Sequence, residues 1–332
     1  MFILHNYSAA VICCIVTMLC WGSWANTQKL AASTWRFELF YWDYVVGILL
    51  FSLVLAFTLG STGSGGRSFV ADLSQAGGSS IGSAIVGGII FNAANILLGA
   101  AIAIAGMAVA FPVGIGLALV IGVVVNYIAH PVGNAGLLAG GVALIVVAIF
   151  LNAIAYRRMQ AGKRTSSGKG LALAVAAGIL MGFFYRYVAA SMFTNFDVPE
   201  PGKLSPYTSV VIFSVGILIS NVVFNTLLMR RPFAGAPVSY AAYFRGRLRD
   251  HITGILGGSV WCLGMSFSII ASGKAGAAIS YGLGQGATIV AAMWGIFIWK
   301  EFRGAPKGTA AVLGGMLIFY LFGLGLLVSA GV

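Results

Sequence analysis

The hydrophobic pattern of this 332-residue chain is a succession of apolar stretches, each about 20 residues long, separated by short polar connections. A helix of that length crosses a hydrocarbon core of about 30 Å. The pattern predicts ten membrane-spanning helices, at residues 6–28, 38–60, 82–104, 107–128, 133–155, 170–193, 207–229, 251–272, 276–298 and 306–330. The first stretch lacks a preceding basic segment and a small-residue cleavage site, so we expect a permanent helix and not a removed signal peptide.

The positive charges fall in alternate connections between these spans. The connections after spans 1, 5, 7 and 9 carry fifteen of the 19 Lys and Arg residues, whereas the connections on the opposite side carry three. Cytoplasmic connections of membrane proteins are enriched in Lys and Arg. The charge pattern therefore predicts that both chain termini are extracytoplasmic. The short loops are typical of a bacterial inner-membrane protein, which is the location we expect.

Composition excludes a soluble domain. Hydrophobic residues make up 60% of the chain and charged residues 8%, and the mean hydropathy is +0.99. The net charge of +12 is explained by the cytoplasmic loops, and no aromatic-basic module accompanies it, so we expect no nucleic-acid partner. The four cysteines lie in apolar stretches without metal-ligand spacing, which predicts packing roles and no metal or cofactor.

An internal repeat is suggested by glycine pairs that recur at offsets of 168 to 174 residues. The matched segments are Val86–Ile89 with Leu256–Ser259, Gly114–Gly116 with Gly282–Gly284, and Gly140–Gly141 with Gly314–Gly315. Five helices per half is an odd number, so the halves would run in opposite directions across the membrane. We predict a first five-helix repeat at 1–156, a basic cytoplasmic linker at 157–169 and a second repeat at 170–332. Chance is the alternative, because the chain has 46 glycines.

Several residues in order along the chain carry a family resemblance. They are Asn95 in span 3, Asn126–Tyr127 in span 4, Gln285 in span 9, and Trp294–Gly295 followed by Glu301. Together they resemble the ureide permeases of the drug/metabolite transporter superfamily, near its glucose/ribose uptake and rhamnose symporter branches. The similarity covers nearly the whole chain, but no single motif is specific.

The resemblance implies uptake of small polar metabolites such as ureides, nucleobases or sugars, often driven by protons. This chain departs from the family pattern in three places. It has Trp261 where ureide permeases carry an Asn, it lacks an acidic residue near Gly282, and its central loop is shorter than that of plant members. These departures leave the substrate and the coupling open.

Polar and aromatic side chains within spans are the candidate substrate-binding residues, because polar groups are costly in lipid unless they serve a partner or a cavity. Amides suit a neutral, hydrogen-bonding solute, and indole or phenol rings can stack on a flat ring or a sugar face. The candidates of this kind are Trp21, Asn92, Asn95, Tyr185, Trp261, Tyr281, Gln285 and Thr288. Hydrogen bonding between helices is the alternative for the asparagines, and a bond to its own backbone is the alternative for Thr288.

Two charged residues lie well inside spans, away from the span ends. Asp43, near the cytoplasmic end of span 2, is the leading candidate for proton coupling; an ion pair with Arg36 or Lys29 is the alternative. Arg186, in the outer half of span 6, either binds an anionic or carbonyl-bearing substrate or extends to the membrane surface.

No nucleophile-base pair, metal cluster or phosphate-binding loop is evident, which argues against an enzyme. The sequence therefore predicts a secondary active transporter that imports a small neutral polar metabolite, of ureide or nucleobase type, by alternating access. Its expected partners are the solute, membrane lipid and, if transport is coupled, protons. A sugar carrier and an exporter of drugs or amphiphiles are the alternatives. The lack of an acidic residue in span 1 argues against the exporter.

Overall fold

A computed structural model describes residues 1–32, 34–63, 65–106, 110–159, 168–233 and 235–332. Ten helices in these ranges are long and apolar enough to cross a membrane, which confirms the predicted all-α polytopic class. They are α1 (Tyr7–Leu30), α2 (Phe37–Phe57), α3 (Gly78–Ala105), α4 (Pro112–Ala129), α5 (Ala135–Met159), α6 (Gly168–Ser191), α7 (Pro206–Arg230), α8 (Leu248–Ala275), α9 (Ala277–Ile298) and α10 (Thr309–Ser329). Short helices at Phe69–Ser74 and Tyr240–Phe244 lie in connections. Most of the predicted basic linker, residues 160–167, lies outside the described residues.

Local sequence signals set several helix ends. The side chain of Asn6 accepts a hydrogen bond from the Ala9 amide and so caps α1. Ser205 caps α7 in the same way, and Pro206 follows at the first helical position, where its missing N–H costs nothing. Both α3 and α8 end at a glycine with positive φ, Gly106 at 77° and Gly276 at 78°. A side chain would strain the backbone at either glycine.

Helix α9 is interrupted near its middle, although the sequence predicted one continuous helix at 276–298. Its first part ends at Gly284, and the N–H of Gly286 then donates to the Leu283 carbonyl, three residues back instead of four. The segment resumes at Ala287 and ends in a π-helical turn, Trp294–Ile298. Three glycines in five residues weaken the regular helix here, and such tightened turns commonly mark functional hinges.

The two ends of the bundle differ in character. At the end that we call the terminal end, both chain termini meet: the Tyr7 hydroxyl donates to the Val328 carbonyl at 2.6 Å. The opposite end, the basic end, is tied by the exposed ion pair between Lys29 and Glu301 at 3.2 Å. Large apolar side chains such as Phe322 and Ile128 are exposed on the outside of the bundle, as expected of surfaces that face lipid.

The helix pairs that pack together correspond when the first five helices are exchanged with the last five. Helix α1 packs on α8 and α3 packs on α6; α2 packs on α8 and α3 packs on α7. Helix α5 pairs with α10, and α2 with α7.

The closest approaches between helices follow the same relation. A Cβ atom at Gly88 in α3 would lie 2.2 Å from the Phe213 carbonyl oxygen in α7. A Cβ atom at Gly258 in α8 would lie 1.9 Å from the Tyr44 carbonyl oxygen in α2. Only glycine permits backbones to come this close, which is how helices associate tightly in a membrane.

Candidate functional site

A cavity of about 570 Å³ lies inside the bundle, between the middle of the helices and the basic end. We call it the central cavity. Its deep part is formed where α1, α3, α8 and α9 converge. Its mouth is formed by the start of α2 and by the ends of α3 and α7. Residues that line it include Trp21, Gln28, Arg36, Glu38, Phe91, Asn95, Phe184, Phe233, Trp261, Gln285 and Thr288. A cavity of this size is typical of small-molecule sites.

The deep wall of the central cavity is aromatic. The rings of Trp21 and Trp261 stack with centroids 5.8 Å apart and planes 12° apart. The indole N–H of Trp21 donates to the Trp261 carbonyl at 3.2 Å, which fixes the first ring against α8. Phe91 packs on Trp261 with centroids 4.4 Å apart. Trp21 and Trp261, two of the predicted candidates, thus meet at the cavity, one from each half of the chain.

Amide groups from both halves face the same space. Asn95 lines the cavity and donates to the Tyr41 hydroxyl at 3.2 Å, so part of its hydrogen-bonding capacity is used. Gln285 lies at the interruption of α9, and in the described part of the chain its side chain has no hydrogen-bond partner. Thr288 also lines the cavity, but its hydroxyl bonds to the Gln285 carbonyl at 3.0 Å and to Tyr320. Gln285 is therefore the amide with the most freedom to bind a solute.

The mouth of the cavity carries an ion pair that the sequence did not single out. Glu38 is only 6% exposed and forms a two-point contact with Arg36, whose Nη2 lies 2.5 Å from Oε1 and whose Nε lies 3.2 Å from Oε2. Arg36 also donates to the Ala236 carbonyl in the connection between α7 and α8. The pair thus fixes the start of α2 beside that connection.

Three of the predicted site residues lie behind the cavity wall. Asn92 is fully buried, accepts from the Tyr41 hydroxyl at 2.9 Å and donates to Ser220 at 2.9 Å. This places Asn92 in hydrogen bonding between α2, α3 and α7. Tyr185 and Tyr281 are also fully buried and do not line the central cavity.

These two tyrosines form a layer that closes the cavity toward the terminal end. The Tyr185 hydroxyl bonds to Ser268 at 3.0 Å and to Ser280 at 3.3 Å. The Tyr281 hydroxyl lies 3.1 Å from two backbone carbonyl oxygens, those of Ala118 and Met181. We call Tyr185, Ser268, Ser280 and Tyr281 the tyrosine layer. Because all their hydroxyls are bonded within the protein, the layer is a well-packed barrier, not a binding surface.

Asp43 lies at the basic end of α2, outside the central cavity, and is only 3% exposed. Its carboxylate accepts from the Tyr243 hydroxyl at 2.6 Å and contacts His251 Nδ1 at 3.0 Å. The expected alternative partners are engaged elsewhere, Arg36 with Glu38 and Lys29 with Glu301. Burial and then the bond to Asp43 raise the pKa of Tyr243, so this phenol remains a neutral donor at physiological pH.

Arg186 lines a second cavity, at the terminal end of the bundle, and not the central one. The sequence singled out Asp43 as a candidate but not its partners His251 and Tyr243, because those residues are 200 or more positions away in the chain. It also missed Glu38 at the mouth. Among the described residues, no group of three or more His, Cys, Asp or Glu side chains is placed to hold a metal ion.

Ten spanning helices around a partly polar cavity define an integral membrane protein. The sequence profile of the ureide permease family matches residues 40–168 and 160–330, and the chain belongs to that family. This confirms the family resemblance, and the family's name points to a membrane transporter and not an enzyme.

Individual relatives cover the chain from end to end. Ureide permease 1 and ureide permease 2 of Arabidopsis thaliana are each 23% identical, over 99% of this chain and 99% of theirs. Ureide permease 3 of the same plant is 25% identical over 78% of this chain and 84% of its own. A solved crystal structure of another protein aligns with 97% of this chain and 96% of its own at a TM-score of 0.59 and 14% identity. That similarity concerns the fold alone.

Proposed function

We propose that this protein imports a small neutral metabolite of the ureide or nucleobase type by alternating access. The relatives named ureide permeases support the substrate class. Ureides and nucleobases are flat and carry N–H and C=O groups on the same edge. An amide side chain offers both donors and an acceptor to such an edge, and indole faces suit the flat ring.

One observation carries this proposal: the unpartnered amide of Gln285 lies in a cavity that also contains the stacked Trp21 and Trp261. A polar group that is 8% exposed and unbonded is poorly accommodated until a solute or water bonds to it. Asn95, from the other half of the chain, supplies a second amide. The solute would then be held between side chains of both halves.

Alternating access follows from the proposed inverted repeat of residues 1–156 and 170–332. The close approaches of Gly88 to Phe213 and of Gly258 to Tyr44 support the repeat. Gly258 lies about 170 positions after Gly88, and Phe213 lies about 170 positions after Tyr44, so each contact is the counterpart of the other. The helix ends at Gly106 and Gly276 support it as well, with the same offset and nearly the same φ. Two such halves can rock about a site that they share.

The orientation given by the positive charges would place the basic end in the cytoplasm and both termini outside. The central cavity opens toward the basic end, and the tyrosine layer closes it toward the terminal end. The arrangement would therefore be the inward-facing state of the cycle. Import requires that the tyrosine layer separate when the mouth at Arg36 and Glu38 closes.

Asp43 is the group that we propose for proton coupling. Its carboxylate is buried and lies 3.0 Å from Nδ1 of His251. Both residues lie at the basic end, where α2 and α8 pack together. A proton held by this pair could bias the packing of α2 on α8 and so the opening of the mouth.

Transport by purified protein in liposomes tests the proposal. Uptake of labelled allantoin (a cyclic ureide), uracil, glucose and a lipophilic cation would be compared, with and without an inwardly directed proton gradient. We expect saturable, gradient-stimulated uptake of allantoin or uracil. Saturable uptake of glucose alone would favour the sugar carrier, and extrusion of the lipophilic cation would favour the exporter. Either result would overturn the proposal.

A further inference from the structure

A second cavity, of about 590 Å³, lies at the terminal end of the bundle. We call it the terminal cavity. The ends of α4, α6 and α8 and the start of α9 form it, together with the connection that follows α6. Residues that line it include Asn126, His130, Arg186, Glu200, Lys203 and Lys274. The tyrosine layer lies between this cavity and the central one. On each of α4, α6, α8 and α9, a residue of the layer or a residue bonded to it separates the two cavities.

Arg186 is the first unusual feature of the terminal cavity. Its side chain is half-buried, and within the described part of the chain it forms no ion pair and no hydrogen bond. A guanidinium group is always charged and carries five donors in a plane, which match a carboxylate at two points. In a cavity, a partly buried guanidinium without a protein partner is free to bind an anionic or carbonyl oxygen.

Asn126 is the second, independent feature. Its side chain is 1% exposed, and its Nδ2 donates to the Gly122 carbonyl at 2.8 Å. Its Oδ1 is buried and has no hydrogen-bond partner among the described residues. Desolvating an acceptor without a bond costs about 1–3 kcal/mol. Asn126 thus adds an unused acceptor to the donors of Arg186.

None of the other charged groups of the terminal cavity forms an ion pair with Arg186 in the described part of the chain. Lys274 pairs with Asp197 at 2.9 Å, and Lys203 donates to the Ala190 carbonyl at 2.8 Å. The Glu200 carboxylate accepts from both the amide and the hydroxyl of Thr194, at 3.1 and 3.2 Å. The Glu200 carboxylate is therefore held by Thr194 and does not pair with Arg186.

We propose that the terminal cavity is a second binding site, for an open-chain ureido acid, a solute that carries a carboxylate and an N-carbamoyl group. Arg186 binds the carboxylate, and Oδ1 of Asn126 accepts a hydrogen bond from a ureido N–H. Arg186 and Asn126 by themselves require a solute with an anionic oxygen and a hydrogen-bond donor. The choice of a ureido solute rests on the proposed function. The site would receive the solute before the tyrosine layer opens.

Calorimetric titration of the purified full-length protein with N-carbamoylglycine tests this site. We expect the wild-type protein to bind it and the substitution Arg186→Gln to weaken binding about tenfold or more, in line with the loss of a charge-assisted contact. Arg186→Lys should recover part of the affinity, and Asn126→Ala should weaken binding about fivefold, as one neutral hydrogen bond allows. Arg231→Gln, which removes the same charge at the basic end, is the matched control and should bind as the wild type does.

Two further arms separate this site from the central cavity. In the Gln285→Ala background, Arg186→Gln should weaken N-carbamoylglycine binding by the same factor as in the wild type, and the uncharged amide of N-carbamoylglycine should bind equally to wild type and to Arg186→Gln. The proposal is overturned if the wild type does not bind N-carbamoylglycine, if Arg186→Gln and Arg186→Lys both bind it normally, or if Arg186→Gln has no effect in the Gln285→Ala background. These titrations do not involve transport, so a failure of ureide uptake in liposomes would be a distinct result.

Discussion

Nδ1 of His251 lies 3.0 Å from both carboxylate oxygens of Asp43. One residue comes from the second turn of α2 and the other from the first turn of α8, so the contact joins the two proposed halves at the basic end. A carboxylate and an imidazole in contact can hold a proton between them, so the charge of such a pair changes when one proton binds or leaves. This is the property that a coupling group needs.

The substitution Asp43→Asn should abolish proton-driven accumulation in liposomes but preserve exchange of labelled for unlabelled substrate. Asparagine keeps an acceptor for the Tyr243 hydroxyl and a similar volume, so the packing of α2 on α8 should persist. Only the titratable charge is lost. Uptake under a proton gradient, compared with exchange without one, measures the difference.

Asp250→Asn is the matched control for this experiment. Asp250 is also a buried carboxylate at the basic end, 4% exposed, but it accepts from the Ala32 amide and has no ion-pair partner among the described residues. We expect it to keep proton-driven accumulation. If Asp43→Asn accumulates substrate normally, Asp43 is not the coupling group.

The substitution Gln285→Ala should weaken substrate binding about five- to tenfold without lowering expression. The expected loss corresponds to one neutral hydrogen bond, about 1 kcal/mol, because Gln285 bonds to no other side chain in the described structure. Thermal-shift titration of the purified protein measures the affinity. Asn152→Ala, which removes a buried amide of α5 that lines neither cavity, is the control. Equal affinities in wild type and Gln285→Ala would place the solute elsewhere.

The sequence predicted the number of spanning helices because length and hydropathy are sufficient for that purpose. It did not predict which face of each helix lines the cavity. Asn92 and Asn95 differ by three positions in α3, yet Asn92 bonds to Ser220 and Asn95 lines the cavity. A spanning helix is apolar on its lipid face and on its packed face alike, so the pattern contains little information about its rotation.

The sequence also did not predict contacts between positions that are far apart in the chain. The interruption of α9 near Gln285 could be suspected from the glycines around it, but the contact of Asp43 with Tyr243 depends on a connection 200 residues away. Interactions of that kind are set by the packing of α2 on α8, which the hydrophobic pattern of one sequence does not specify.

The proposed inverted repeat predicts that Gly88→Ala and Gly258→Ala destabilise the protein to a similar degree. In each case the new methyl group would meet a backbone carbonyl oxygen, of Phe213 at 2.2 Å or Tyr44 at 1.9 Å, so two helices must move apart. Overpacking of this kind costs about 1–3 kcal/mol. The apparent Tm of the purified protein should fall by several degrees for both variants.

Gly82→Ala is the control for the α3 substitution, since no atom of the described structure lies within 4 Å of its added Cβ. Its Tm should stay at the wild-type value. A large loss for Gly88→Ala together with none for Gly258→Ala would contradict equivalent packing in the two halves.

The tyrosine layer should be broken by Gly122→Ala. A Cβ atom at Gly122 would lie 2.1 Å from Cε1 of Tyr281, and that ring is fully buried, so it must leave its position. Its hydroxyl would then lose the carbonyl oxygens of Ala118 and Met181, and the barrier between the two cavities would open. We therefore expect liposomes preloaded with substrate to lose it faster and to reach a lower accumulation than with wild-type protein.

Gly116→Ala, on the same helix but with no atom of the described structure within 4 Å of its Cβ, should retain substrate normally. Retention by both variants would mean that the seal lies elsewhere than at Tyr281.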